Sequence, residues 1–315
     1  MNGDIIISKK LLLLSLFIFF AMTCNSQIRS VPAPYYRCQD IGSSYQICPD
    51  RKGDYKNGTI SYNSQDVKGV DVKTFEVFED GYARDKNSAY HRGEVLEGVN
   101  PKEFIYLGGR YAKDSSNIFC HGIRMLGVDM GTFEIVADSP YSKDLYAVYF
   151  NGVQIVNANP QSFSIITLVT PTNYSKDGIN IFYREKKIEK ADYSTFEVLG
   201  DHSTARDKNT VYYAGRIIDY IDPATVETYE YSPYKSDKNH VYYRLDRLDK
   251  VDRATFEYLG RGYIRDNNSI YHDGKILEGA DPQTFEIYQW MHGDAKDKNG
   301  YYNYGRKLTY DPLNY

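Results

Sequence analysis

Aspartate is the residue whose type and spacing first invite chemistry in this chain. Asp85, Asp207, Asp237 and Asp297 each open an Asp-Lys-Asn triplet, and Asp114 and Asp266 open looser versions of it. Asp-x-Asn sets oxygen ligands at alternate positions, as a calcium loop begins. Against calcium, a lysine stands in most triplets, and neither a second acidic cluster nor a glycine-rich calcium loop accompanies them. Aspartate and asparagine also bond their own backbone and tolerate left-handed dihedrals, so turn capping is the better reading. The histidines (His91, His121, His202, His240, His272, His292) sit at several phases of the pattern, and only His91 and His272 share one. No metal triad, acid–base pair or cofactor site is therefore expected. Glu76, Glu134, Glu197, Glu227, Glu257 and Glu286 form an acidic ladder. A solvated strand face explains them, because catalysis needs one pocket and not a carboxylate in every unit.

These residues recur because the chain repeats. Aspartates stand at 54, 85, 114, 144, 177, 207, 237, 266 and 297. About nineteen residues after each comes Phe75, Phe104, Phe133, Phe163, Phe196, Val226, Phe256, Phe285 or Tyr315. A fixed period near 30 residues marks a tandem array in which each unit buries its apolar face against its neighbours. Within the copy at Asp207, turn chemistry is followed by the strand signal Val-Tyr-Tyr. A glycine then stands eight residues after the aspartate, and Asn151-Gly152 and Asp273-Gly274 are pairs suited to a two-residue hairpin. Next comes an Asx residue with Ser or Thr three positions later, as in Asp222/Thr225, which predicts a capped single helical turn. Phe-Glu-Val closes the unit, and a tyrosine such as Tyr82 or Tyr234 leads to the next aspartate. The recurrent Phe is the expected core residue. The fold expected is all-β: tandem antiparallel meanders of about 30 residues forming an open, curved solenoid, with a closed propeller-like ring as the alternative.

The chain has 32 tyrosines, 14 phenylalanines and one tryptophan, with a formal net charge of -4. Evenly spread lysines and arginines argue against a nucleic-acid footprint, which needs a concentrated basic face. Lys9 and Lys10 precede the apolar run Leu11 to Phe20, too short to span a bilayer and suited to a signal peptide. Ala21-Met22-Thr23-Cys24 resembles a lipobox of bacterial lipoproteins, although the leading leucine is missing. Residues 1–24 are read as a signal peptide with Cys24 as the lipid anchor; cleavage before Gln27 is the alternative. Residues 25–53 read as a linker and cap, in which Cys38 and Cys48 are expected to form a disulfide outside the cytoplasm. A metal site is the weaker alternative for that pair. Cys120 falls where other units carry Tyr213 or Tyr243, so it reads as a packed strand residue. Residues 54–315 hold nine repeats, the first and last departing most, as array ends do.

The Asp-Lys-Asn-x-Val-Tyr-Tyr core, with its downstream Gly, Gly-Ala-Asp-Pro and Thr-Phe-Glu, resembles the DKNYY repeat family of bacterial envelope proteins. That resemblance implies an architecture and an envelope setting, and no activity. The functional expectation is a non-enzymatic, lipid-anchored envelope protein presenting an extended surface to a protein partner. The alternative is a glycan- or peptidoglycan-binding module using tyrosines such as Tyr183, Tyr213 and Tyr243, whose rings suit CH–π contact or hot-spot packing. An enzyme would require one unit to build a pocket, and the irregular stretch from Leu168 to Asn180 is the place for it.

Overall fold

The computed structural model describes residues 37–136, 139–167, 171–290 and 293–310. Cys24 and the leader lie outside them. The described residues form nine four-stranded sheets, each with its strands in chain order: 39–66, 76–95, 105–125, 134–154, 164–187, 197–218, 227–247, 257–276 and 286–307. No α-helix occurs among them. Two compact units divide the chain, the first holding sheets one to three and the second holding sheets five to nine; the division runs through the fourth.

Each sheet is a meander built from very short strands. In the second, Glu76–Val77 pairs with Tyr82–Arg84, then Ala89–His91, then Glu94–Val95. The Phe-Glu-Val segment thus opens a sheet where the sequence reading had it closing a unit. A repeat has no intrinsic starting phase, and only the hydrogen-bond ladder sets one. By the same rule the Cys38/Cys48 segment supplies Gln39–Gly42 and Tyr45–Cys48, the first two strands of the first sheet. At the other end Arg306–Lys307 completes the ninth. Seven of the nine third-to-fourth-strand hairpins use two consecutive positive φ values, 48° and 76° at Asp273-Gly274, which match the right-handed twist of the flanking strands. The expected helical turns are single hydrogen-bonded turns, as from the Thr225 amide to the Asp222 carbonyl, and a 3-10 turn at Val72–Thr74.

No sheet holds a core of its own. Tyr82, Ala89 and Leu96 of the second sheet pack with Phe104, Ala112 and Phe119 of the third. In the second unit Tyr174, Ile181 and Ile188 pack with Val198, Ala205 and Tyr212. Recurrent phenylalanines do reach the core, but most of the largest fully buried side chains are tyrosines. Tyr45, Tyr82, Tyr111, Tyr174, Tyr234 and Tyr263, all in second strands, are fully buried; of the recurrent phenylalanines Phe104, Phe163 and Phe285 are buried, whereas Phe75, Phe133, Phe196 and Phe256 are only partly so.

The hydroxyl explains the choice. Tyr82 Oη donates to the Arg110 carbonyl of the next sheet at 3.0 Å and accepts from the Gly122 amide at 2.8 Å. Tyr45 does the same with Gly81 and Gly93, and Tyr174 with Ser203 and Gly215. One tyrosine therefore satisfies two backbone groups of its neighbour while filling the space between sheets. Burial pushes the Tyr45 hydroxyl up to about 12, so the latch stays neutral and able to donate. Arginines add a second tie: Arg84 bonds Glu76 within its sheet and the Phe104 carbonyl in the next. Replacing Tyr82 with Phe should orphan both backbone partners and cost about 1–3 kcal/mol, read as a lower denaturation midpoint; an unchanged midpoint would remove the latch from this account.

Candidate functional site

The aspartate turns lie between the second and third strands. Asp207 Oδ1 accepts from the Asn209 and Thr210 amides at 2.8 and 2.9 Å. Its Oδ2 accepts from the Asp192 amide at 2.8 Å and from Tyr212 Oη at 2.7 Å. Asp85, Asp237 and Asp266 hold the same four kinds of donor. The motif is thereby explained: the aspartate ties its turn to the preceding Asx turn and to a tyrosine five residues on. The following lysine pairs with the Asx carboxylate, as Lys208 does with Asp192 at 2.6 Å. Its amide bonds the threonine, Lys208 to Thr195 Oγ1 at 3.1 Å. Both carboxylate oxygens are engaged inside the fold, leaving no open oxygen set for calcium. Among the described residues no three His, Cys, Asp or Glu side chains converge as metal ligands.

Burial pulls the Asp207 carboxyl upward, but the amides of Asp192, Asn209 and Thr210 and the Tyr212 hydroxyl outweigh it and hold it below its ordinary value. Asp114, Asp177 and Asp237 are lowered in the same way, against burial and by amide bonds. A carboxyl depressed in the folded state adds stability above its unfolded value of about 4 and loses it as pH falls through the folded value. Denaturation midpoints should therefore be steady down to about pH 4 and drop steeply below it, and an Asp207→Asn chain should show a shallower acid limb. An identical limb would deny the aspartate this role.

The remaining candidates fall into place around the latches. Tyr183 and Tyr243 are half-buried and stack edge-on against Tyr174 and Tyr234, at 4.9 and 5.1 Å between centroids. The next hairpin lies on them: a Cβ on Gly215 would stand 2.5 Å from Tyr183 Cβ, so only glycine fits there. His91 and His272 occupy that same phase, under Gly122 and Gly305, which accounts for their shared position. Burial, then the charges of Arg92 and His121, lower His91 to about 4. Cys120 is a buried free thiol raised to about 11 by burial. Cys38 and Cys48 are joined in a disulfide across the first hairpin. Glutamates of the ladder are paired across strands, Glu197 with Arg206 at 2.5 Å and Glu257 with Arg265 at 2.6 Å, so no bare acidic face results.

The seam between the sixth and seventh sheets departs furthest from this pattern and escaped the sequence reading, although the fifth sheet also replaces the receiving glycine, with Glu185. In the sixth sheet Thr204 stands where a latch tyrosine belongs, and in the seventh Leu245 replaces the receiving glycine. Lys235 sits in the register position that Ala83, Ala205 and Ala295 occupy elsewhere. Its side chain is 0% exposed and its Nζ lies 3.7 Å from Asp201 Oδ2, itself 3% exposed. The ammonium also donates to the Arg244 carbonyl at 3.1 Å and stands 4.5 Å over the Tyr213 ring. A long side chain entering from the seventh sheet thus replaces one leaving the sixth. Burial lowers the Lys235 value, and Asp201 opposes that shift. The triple exchange Thr204, Lys235 and Leu245 at three fixed repeat phases was the signal available in the sequence. Lys235→Ala should cost about 3 kcal/mol by removing the cation beside Asp201, which keeps the Ser203 and Thr204 donors, and by emptying the space its stem fills. Lys235→Ala with Thr204→Tyr and Leu245→Gly should recover most of that in the same denaturation experiment; no recovery would refute the exchange.

The irregular stretch after Leu168 continues the pattern as far as it is described: Pro171–Lys176 is a longer second strand, and Asp177 accepts the Asn159 amide as its counterparts do. Residues 168–170 lie outside the described residues. The DKNYY family model matches residues 55–186 and 174–306. No curated protein and no solved structure matches the chain.

Proposed function

This chain belongs to the DKNYY family, and we propose that it is a non-enzymatic, lipid-anchored repeat protein of the bacterial cell envelope whose array offers an extended surface to a protein partner. The observation that carries this reading is apolar exposure on the outer, fourth-strand side of the first unit. Ile123 is 72% exposed, Leu126 80% and Val153 57%. Fourth strands are sheet edges with an unpaired row of backbone groups, and apolar side chains along such edges invite another chain. The repeat's own polar groups support the same reading, since turn aspartates, latch tyrosines and paired glutamates are occupied within the fold. Half-burial of Tyr183, Tyr213 and Tyr243 favours protein docking over sugar stacking on those rings.

A soluble Cys24→Ser chain mixed with solubilised envelope proteins should retain one protein in stoichiometric amount. An Ile123→Lys, Val153→Lys chain should lose it. Capture that survives those charges, or retention by polysaccharide alone, would overturn the reading. The anchor has a separate test: the native chain should enter a detergent phase and the Cys24→Ser chain should stay aqueous, whereas equal partition would exclude the tether.

A further inference from the structure

The fourth strand of each sheet begins opposite the last residue of the third, so one register position can be compared along the array. It is Gln65, Glu94 and Ile123 in the first three sheets. In sheets five to nine it is Lys186, Arg216, Asp246, Lys275 and Arg306. With Lys187, Arg247 and Lys307, the fourth strands of the second unit carry seven cations and one carboxylate, all exposed. Of these seven, only Lys187 and Arg247 form ion pairs, with Glu189 and Asp249. The other five cations face solvent uncompensated.

Toward the end of the array these strands border an open groove lined by Arg244, His272, Asp273, Lys275, Tyr304 and Arg306. Its one carboxylate lies 3.7 Å from His272 Nδ1. Its one exposed ring is Tyr304, at 71%. We propose that this line of cations on the second unit binds an acidic polysaccharide, with carboxylate-bearing sugars set against Lys186, Arg216, Lys275 and Arg306 and a pyranose face against Tyr304.

Charge spacing selects the ligand. Stacked sheets lie about 10 Å apart, so register positions recur roughly every 10 Å, and four of the five in sheets five to nine are cations, with Asp246 between them. A nucleic-acid strand carries a phosphate about every 3.4 Å and would leave most of them unmatched. A membrane surface would call for apolar side chains interleaved for insertion, and on these strands only Ile217 is an exposed apolar residue, while Asp246 adds a carboxylate that an anionic surface would repel. Carboxylates accept charge-assisted hydrogen bonds from lysine and arginine, and tyrosine receives the apolar face of a sugar. This surface is separate from the apolar edge of the first unit, so either assignment stands or falls alone.

The test uses the full chain carrying Cys24→Ser and labelled polygalacturonate as the probe, with neutral dextran, a single-stranded polynucleotide and anionic lipid vesicles in parallel. Polygalacturonate should bind, weaken with added salt, and lose roughly tenfold in affinity when Lys186, Arg216, Lys275 and Arg306 are all changed to Gln. The Ile123→Lys, Val153→Lys chain should bind it as the parent does. If circular dichroism shows the fourfold variant misfolded, Lys275→Gln with Arg306→Gln alone should still weaken binding about threefold. Unchanged affinity in the substituted chain, no binding to polygalacturonate, equal retention on dextran, or tighter binding to polynucleotide or vesicles would each overturn the proposal.

Discussion

A tyrosine hydroxyl that leaves one sheet and ends on the backbone of the next is the interaction on which the rest of this array depends. Sheets with strands of two to six residues, most of them two or three, cannot hold a core between their own faces. Each must bury side chains against a neighbour, and that burial traps amides and carbonyls at the hairpins. The latch tyrosine resolves both demands at once, since its ring fills the gap and its oxygen both donates and accepts. Phenylalanine fills the same volume and leaves the backbone unsatisfied. This accounts for a chain with 32 tyrosines and 14 phenylalanines whose largest fully buried side chains are mostly tyrosines.

The aspartate turn is the complement of the latch within each repeat. It gathers the turn amides, the preceding Asx amide and a second tyrosine onto one buried carboxylate. The latch then joins that repeat to the next. The seam between the sixth and seventh sheets shows that the two devices are separable. Asp207 and Asp237 keep their full sets of donors there, while the latch gives way to Lys235 and Asp201. The exchange conserves the space filled and changes its polarity.

Internal use of these groups limits what remains for function. Carboxylates and hydroxyls that resemble candidate catalysts are already bonded to backbone or to cations. The fourth strands tolerate variation because most of their residues face water, and both proposed surfaces draw on them. The first unit mixes polar residues such as Gln65 and Glu94 with the exposed Ile123 and Val153, whereas the second carries mostly lysine and arginine. One scaffold thus presents two edges of different chemistry.

Periodicity made the all-β tandem fold legible, because the Asp-Lys-Asn turn, Val-Tyr-Tyr and the hairpin glycine are local signals with local causes. Turn capping by Asp207 and its counterparts could be read without coordinates for the same reason. The depth of Tyr82 against that of Phe75 could not, since hydropathy ranks phenylalanine first and says nothing of a hydroxyl's partner in another repeat. Nor could the half-burial of Tyr183 and Tyr243, which a glycine more than thirty residues away imposes. The sheet's starting phase and the role of Lys235 also waited on the ladder. Local chemistry determined the elements; which oxygen, ring or ammonium faces the next repeat is a relation between distant residues, and only tertiary packing decides it.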